Sequence, residues 1–409
     1  MKRITTIISK ISLVSFISLV SFVSLVSSCS KNDDFDDNQN LNAAGVEIGG
    51  VSGYATYFDE PDTRATRSGD ALTRAWSIPA GYVAYDGGYQ PIAIAFTQNG
   101  KKPMMGYFFM VGDKWRTSID DIKTENYNLY GFIPNMAVIK YDITDRTPTI
   151  DDDGDGDSEI DDFAAGAIMT LQDVPSVMPN DLCVVIGAKE GPDKEHDNGL
   201  RQGDFNYAAK AFTGDEGEEV GSDNYVFLLF DHLYAALRVR MRVHEDYAKL
   251  RTIKLKSLKL STKAGDDDTK DKTNIVINLQ ANDGSTSPIQ SVTYTPAEGS
   301  AIIEDGMEFW SNKDGYELTT DFQPFIGHFM PSGITWFTLT SIYDVYDTKG
   351  NLIREDCKAV NSVLLSNLIY GQTETARGKR YTVNLTILPT YLYMLSDPDL
   401  DNPKVIIDN

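Results

Sequence analysis

Cysteine is scarce in this chain of 409 residues, with only Cys29, Cys183 and Cys357, and nothing in their placement forms a disulfide framework. Cys183 and Cys357 lie in or beside apolar runs far apart in sequence. They read as lone buried thiols, with a disulfide between them left open. Histidine is nearly as sparse. His196, His232, His244 and His328 fall in no metal-ligand or triad spacing, and each reads as a structural side chain. No glycine-rich phosphate loop follows a strand, and no serine is framed as in a nucleophile elbow. The chain therefore reads as a non-enzyme, although its acidic pairs are too numerous to exclude a glycosidase by counting. Basic residues are also in deficit, with 37 Lys and Arg against 60 Asp and Glu, a net charge of −23. That balance argues against nucleic acid and against electrostatic binding to anionic membrane surfaces.

One long apolar run is present, at the start. Lys2, Arg3 and Lys10 precede Ile11 to Val26, which is almost wholly Ile, Leu, Val, Phe and Ser. This is the layout of a secretory signal, too short and wrongly flanked for a stable membrane span. The run closes on Val26-Ser27-Ser28-Cys29, which resembles the lipobox of bacterial lipoproteins, where the cysteine is acylated and becomes the mature N-terminus. Two or three acyl chains hold a protein on a bilayer where one does not. Processing after residue 28 removes three basic residues and no acid, which takes the charge from −23 to −26. Residues 29–44, with four aspartates between Asp33 and Asp37, read as an acidic tether. They resemble the export signal of Bacteroidales lipoproteins that reach the outer face of the outer membrane.

Beyond the tether the pattern is β nearly everywhere. Leu237, Val239, Met241 and Val243 alternate with Arg238, Arg240 and Arg242, a period of two. The arginine face is either a solvated strand surface or a ligand site. Further strands are predicted at Ile92–Phe96, Tyr107–Val111, Leu182–Ile186, Ile253–Leu260, Ile275–Leu279, Trp336–Tyr343 and Thr382–Leu388. Tyr343 to Ile353 reads as a hairpin with Gly350 and Asn351 supplying positive φ. Any helix is short, around Pro179 to Leu182 or Glu245 to Leu250. An acidic, Gly-rich stretch over Thr213–Asn224 marks a boundary. The expected fold is all-β, two β-sandwich domains in tandem at 45–222 and 223–409.

Several segments carry a family resemblance: Tyr127-Asn128-Leu129-Tyr130-Gly131-Phe132-Ile133-Pro134, Gly166 to Leu171, Asp181 to Lys189, Phe230 to Arg238, and the tail Pro389 to Pro398. Together with the lipobox they resemble the fimbrillin family of Bacteroidales, the type V pilins with their accessory and tip relatives. The resemblance implies two transthyretin-like sandwiches, export as a lipoprotein to the outer membrane, and assembly with other pilin subunits into adhesive surface fibres. A sandwich lacking one edge strand offers unpaired backbone groups that an extended segment of a neighbour can fill. In stalk members an Arg-specific protease removes the first strand. That strand is expected here within Val46 to Phe58. The polar stretch after it carries Arg64, Arg67 and Arg74, the candidate cleavage positions, in an exposed-loop composition. At the C-terminus, Val405 and Ile407 face one way, as donor-strand anchors or as the last edge strand of their own domain.

Asp151, Asp153, Asp155, Asp157 and Asp162 fit part of a calcium-loop spacing, with Gly156 at the turn. The closing residue is Asp and not the usual Glu, and the alternative is a solvated acidic insertion. Calcium is the one candidate cofactor. Two functions stand: a structural and adhesive pilus subunit, or a non-polymerising surface lipoprotein that binds glycans through exposed aromatics. Trp76, Trp115, Trp310 and Trp336 read as core anchors under the first.

Overall fold

The computed structural model describes residues 47–53, 91–98, 100–111, 114–119, 121–146, 166–193, 196–211, 224–369, 371–391 and 398–408. The signal segment, Cys29, the tether, Arg64, Arg67, Arg74 and the acidic run Asp151 to Asp162 lie outside them. The regular structure of the described chain is almost entirely strand, as expected. The first strands are β1 (Glu47–Gly53), β2 (Ile92–Thr97), β3 (Met104–Val111), β4 (Lys114–Thr117), β5 (Asn126–Ile133) and β6 (Lys140–Arg146). They are followed by β7 (Gly166–Pro175), β8 (Val177–Met178), β9 (Cys183–Gly191), β10 (Asn206–Ala208), β11 (Tyr225–His232) and β12 (Ala235–Val243). After the short helix α1 (Glu245–Ala248) come β13 (Thr252–Ala264), β14 (Asp267–Asp268), β15 (Lys272–Gln280), β16 (Ile289–Pro296) and β17 (Met307–Leu318). The chain closes with β18 (Gln323–Phe329), β19 (Trp336–Tyr346), β20 (Leu352–Leu364), α2 (Leu365–Leu368), β21 (Arg380–Tyr391) and β22 (Pro398–Ile407).

Two layered units result. In the first, a sheet ordered β1-β11-β9-β5-β2-β3-β4, with β10 beside β5, packs on a sheet ordered β16-β15-β7-β6. Strand alternation sends Ala93 and Ala95 toward that second layer, where Tyr130, Met169, Leu171, Ile275 and Ile277 complete the core. Ile92, Ile94 and Phe96 point to the opposite face and form a further cluster with Phe108, Leu129, Val185 and Leu228. This explains why β2 is buried along its whole length and reads as a continuous apolar run.

In the second unit, a sheet ordered β22-β21-β12-β18-β8 faces one ordered β14-β13-β19-β20, with β17 paired to β13. Leu237, Val239 and Met241 meet Ile253, Leu255, Leu258, Phe337 and Leu339 across the gap. The alternation over 237–243 is therefore the inward face of β12, as its period required.

The sheets do not part at the expected residue 222. β11 follows that point yet pairs with β9, and β15 pairs with β7, so the hairpin β15–β16 of the C-terminal half serves the first unit. In the reverse direction β8, from the N-terminal half, pairs with β18 of the second. The two units exchange strands, which no composition shift at a linker reports. Two smaller expectations also change. Residues 179–182 are not helical, because the Pro179 carbonyl accepts from His328 Nδ1 at 3.0 Å and Asp181 turns to His232. In the hairpin of β19 and β20, Gly350 takes φ +85° but Asn351 is not at positive φ. The Asp347 carboxylate gathers the Lys349 and Asn351 amides at 2.8 Å each and does the work expected of a second left-handed residue.

Candidate functional site

The residues relevant to assembly are the terminal strands. β22 is the outermost strand of its sheet and runs antiparallel to β21, with Val405 opposite Ile387 and Ile407 opposite Leu385. Val405 is buried in the second core, Ile407 packs against it half-buried, and Lys404 and Ile406 face outward. Side chains from three other elements fasten the strand: Tyr247 Oη donates to the Leu400 carbonyl at 2.9 Å, Tyr343 Oη to Pro403 at 3.2 Å, and Asn361 Nδ2 to Val405 at 2.8 Å. Arg251 pairs with Asp401, and Arg242 reaches Asp408 at 3.3 Å. In this structure both donor-strand candidates close their own unit.

β1 is the opposite case. It lies at the edge of the large sheet and pairs in parallel with β11, from Glu47 opposite Tyr225 to Gly53 opposite Phe230. Three of its seven residues are glycines, Gly49, Gly50 and Gly53, and the register shifts between Ile48 and Gly50. Glycine adds no side chain to a sheet face and loses the most backbone freedom on ordering, so this strand is weakly held. The strand beneath it is not. Val226, Phe227, Leu228, Leu229 and Phe230 are all buried.

The arginine stripe of β12 is occupied by the chain itself. Arg240 and Arg242 lie over the Phe322 ring at 4.9 and 4.4 Å, and Arg242 Nε donates to Thr386 Oγ1 at 2.9 Å. Trp310 stacks edge-on against Phe325 at 4.7 Å and packs on the second core, as a core anchor would. A shallow depression of about 380 Å³ is lined by Thr97, Gln98, Lys101, Asn126, Tyr127, Asn128 and Asn206. Its one aromatic residue, Tyr127, is buried and presents no open ring face.

A second polar grouping, which the sequence spacing did not single out, sits where the units meet. Cys183 opens β9 and His232 closes β11, and the two are directly opposite across the strand pair. Asp181 Oδ2 contacts His232 Nδ1, and Cys183 Sγ lies 3.5 Å from that same nitrogen. All three residues are buried. A thiol nucleophile needs its base on one ring nitrogen and the orienting acid on the other, so this is not a triad. Burial opposes charge on His232, but the Asp181 carboxylate, its hydrogen bond and Asp231 outweigh it and hold the imidazole above its ordinary pKa. Arg377, from the second unit, donates to Asp231 Oδ2 at 2.8 Å and to the His232 carbonyl at 2.9 Å. His328 of β18 couples with Asp181 and His232, and burial lowers its pKa. Cys183 and Cys357 are free thiols.

No family model matches the chain. No curated protein matches it either. Among solved structures, the chain is similar to a candidate cell adhesion protein of Bacteroides fragilis, at 11% identity and a TM-score of 0.32, over 90% of this chain and 97% of that one. It is also similar to a fimbrial protein of Bacteroides vulgatus, at 11% identity and a TM-score of 0.31, over 78% and 91%. A fimbrial protein of Bacteroides ovatus shares 11% identity at a TM-score of 0.22, over 68% and 54%.

Proposed function

We propose that this protein is a structural and adhesive subunit of a cell-surface fibre, exported as a lipoprotein through Cys29 and assembled by strand exchange. The observation that carries the reading is that β1 and β22, the first and last described strands, are each outermost in a sheet. Either can leave without unpairing an interior strand. Cutting after Arg64, Arg67 or Arg74 would separate β1 from the chain and free the β11 edge, which is apolar on both faces. A neighbour's extended segment would then supply the missing ladder, with alternate apolar residues entering the core as Val405 and Ile407 do in their own unit. The partners are other pilin subunits, an Arg-specific protease and the outer membrane. A calcium ion at Asp151, Asp153, Asp155, Asp157 and Asp162 would be a local addition to this scheme.

The test is to incubate purified precursor with an Arg-specific protease. Trimming between residues 64 and 74 followed by SDS-resistant ladders is the expected result. A precursor trimmed there that remains monomeric at high concentration would refute strand exchange. The glycan-binding alternative draws on the amide-lined depression at Asn126, Asn128 and Asn206. An uncut monomer retarded by polysaccharide in a native gel would favour it.

A further inference from the structure

The grouping at the joint between the units brings three metal-ligand side chains together, and we propose that Asp181, Cys183 and His232 bind a divalent transition metal, zinc in the first instance. The three residues offer a carboxylate oxygen, a sulfur and an imidazole nitrogen that all lie within 4.8 Å of one another. Each is a ligand type that zinc accepts. Cys183 Sγ and His232 Nδ1 are 3.5 Å apart. Tetrahedral bonds of roughly 2.3 Å to sulfur and 2.1 Å to nitrogen place two such atoms about 3.5 Å apart.

A further observation supports an ion here. Asp181 Oδ1 is buried without a hydrogen-bond partner, although Oδ2 of the same carboxylate serves His232. An ion pair alone leaves that oxygen unsatisfied, whereas a cation uses the whole carboxylate. The metal takes the position of the proton between Asp181 and His232, and their ligand atoms part to about 3.3 Å. The backbone is prepared for this. Cys183 and His232 face each other on paired strands, and Asp181, two residues before Cys183, reaches the same imidazole nitrogen. Arg377, from the second unit, holds the His232 carbonyl, and His328 of that unit couples with Asp181 and His232, so a bound ion would pin the joint.

The full-length chain is refolded in excess ZnCl₂, desalted and assayed for metal, and separately refolded with CoCl₂ for absorption spectra. The expected result is about one zinc per chain and a thiolate-to-cobalt charge-transfer band. Cys183→Ser should lose that band, and Cys357→Ser and Cys29→Ser should keep it. Less than half an equivalent of zinc overturns the proposal, as does a band that survives in Cys183→Ser. If Cys183→Ser does not fold, loss of the band in Cys357→Ser or Cys29→Ser overturns it equally.

Discussion

Replacing Val405 by alanine tests the placement of the last strand, with Ile406→Ala as its internal control. Val405 is 7% exposed and contributes to the second core, while Ile406 is 36% exposed on the other side of the same strand. Val→Ala removes two carbon groups, about 1.6 kcal/mol of transfer free energy at roughly 0.8 kcal/mol each. The cavity left behind brings the total to about 2 kcal/mol. Ile406→Ala deletes more atoms but from a wet face, and should cost about 0.5 kcal/mol. With a urea m-value of about 2 to 3 kcal/mol per molar, Val405→Ala moves the midpoint down by roughly 0.7 to 1 M. The control moves it by about 0.2 M. Because β22 pairs with β21 of its own chain, the midpoint should not depend on protein concentration. Equal shifts for the two variants would refute the register. A midpoint that rises with concentration would show that the strand is contributed by another copy.

Four further outcomes follow from the packing. Gly131→Ala would press its new methyl group onto the Ala93 carbonyl of the neighbouring strand and should cost about 1 to 3 kcal/mol. Gly265→Ala, at φ +63° with open space around it, should cost about 1 kcal/mol by chemical denaturation. Arg377→Ala removes the partner of Asp231 and of the His232 carbonyl. Since the guanidinium is 30% exposed, the loss should be about 1 to 3 kcal/mol, below that of a fully buried pair. Burial raises the pKa of the Cys357 thiol, so it should react with a disulfide reagent only in urea. Rapid labelling of the native chain would contradict its placement.

Much of this architecture was legible because apolar residues recur at every second position wherever one strand face is buried. The sequence over 237–243 shows this, and β12 follows it residue by residue. β16 and β17 were not anticipated, and their burial explains why. Most of their residues are exposed or half-exposed, so no hydrophobic alternation marks them. The strand exchange was invisible for a different reason. Thr273 meets Val174 across about a hundred residues, and local periodicity carries no information about such a partner. The same separation hid the joint, where Asp181 and His232 stand 51 residues apart. Val405 and Ile407 could be paired on one face from sequence, because they are two residues apart on a β-branched strand. Which core they enter could not.

The hairpin β15–β16 sets a condition on how the molecule comes into being. A polypeptide that emerges with its amino end leading presents β6 and β7 early, but their layer stays open until residue 296 has appeared. By then β12 and β13, which belong to the other unit, are already outside. Neither unit is complete when the other begins to form, so the early half spends that interval with an uncovered apolar layer. Emergence and folding of the chain are thereby linked in time, and any factor that shields unfinished sheets acts within that interval.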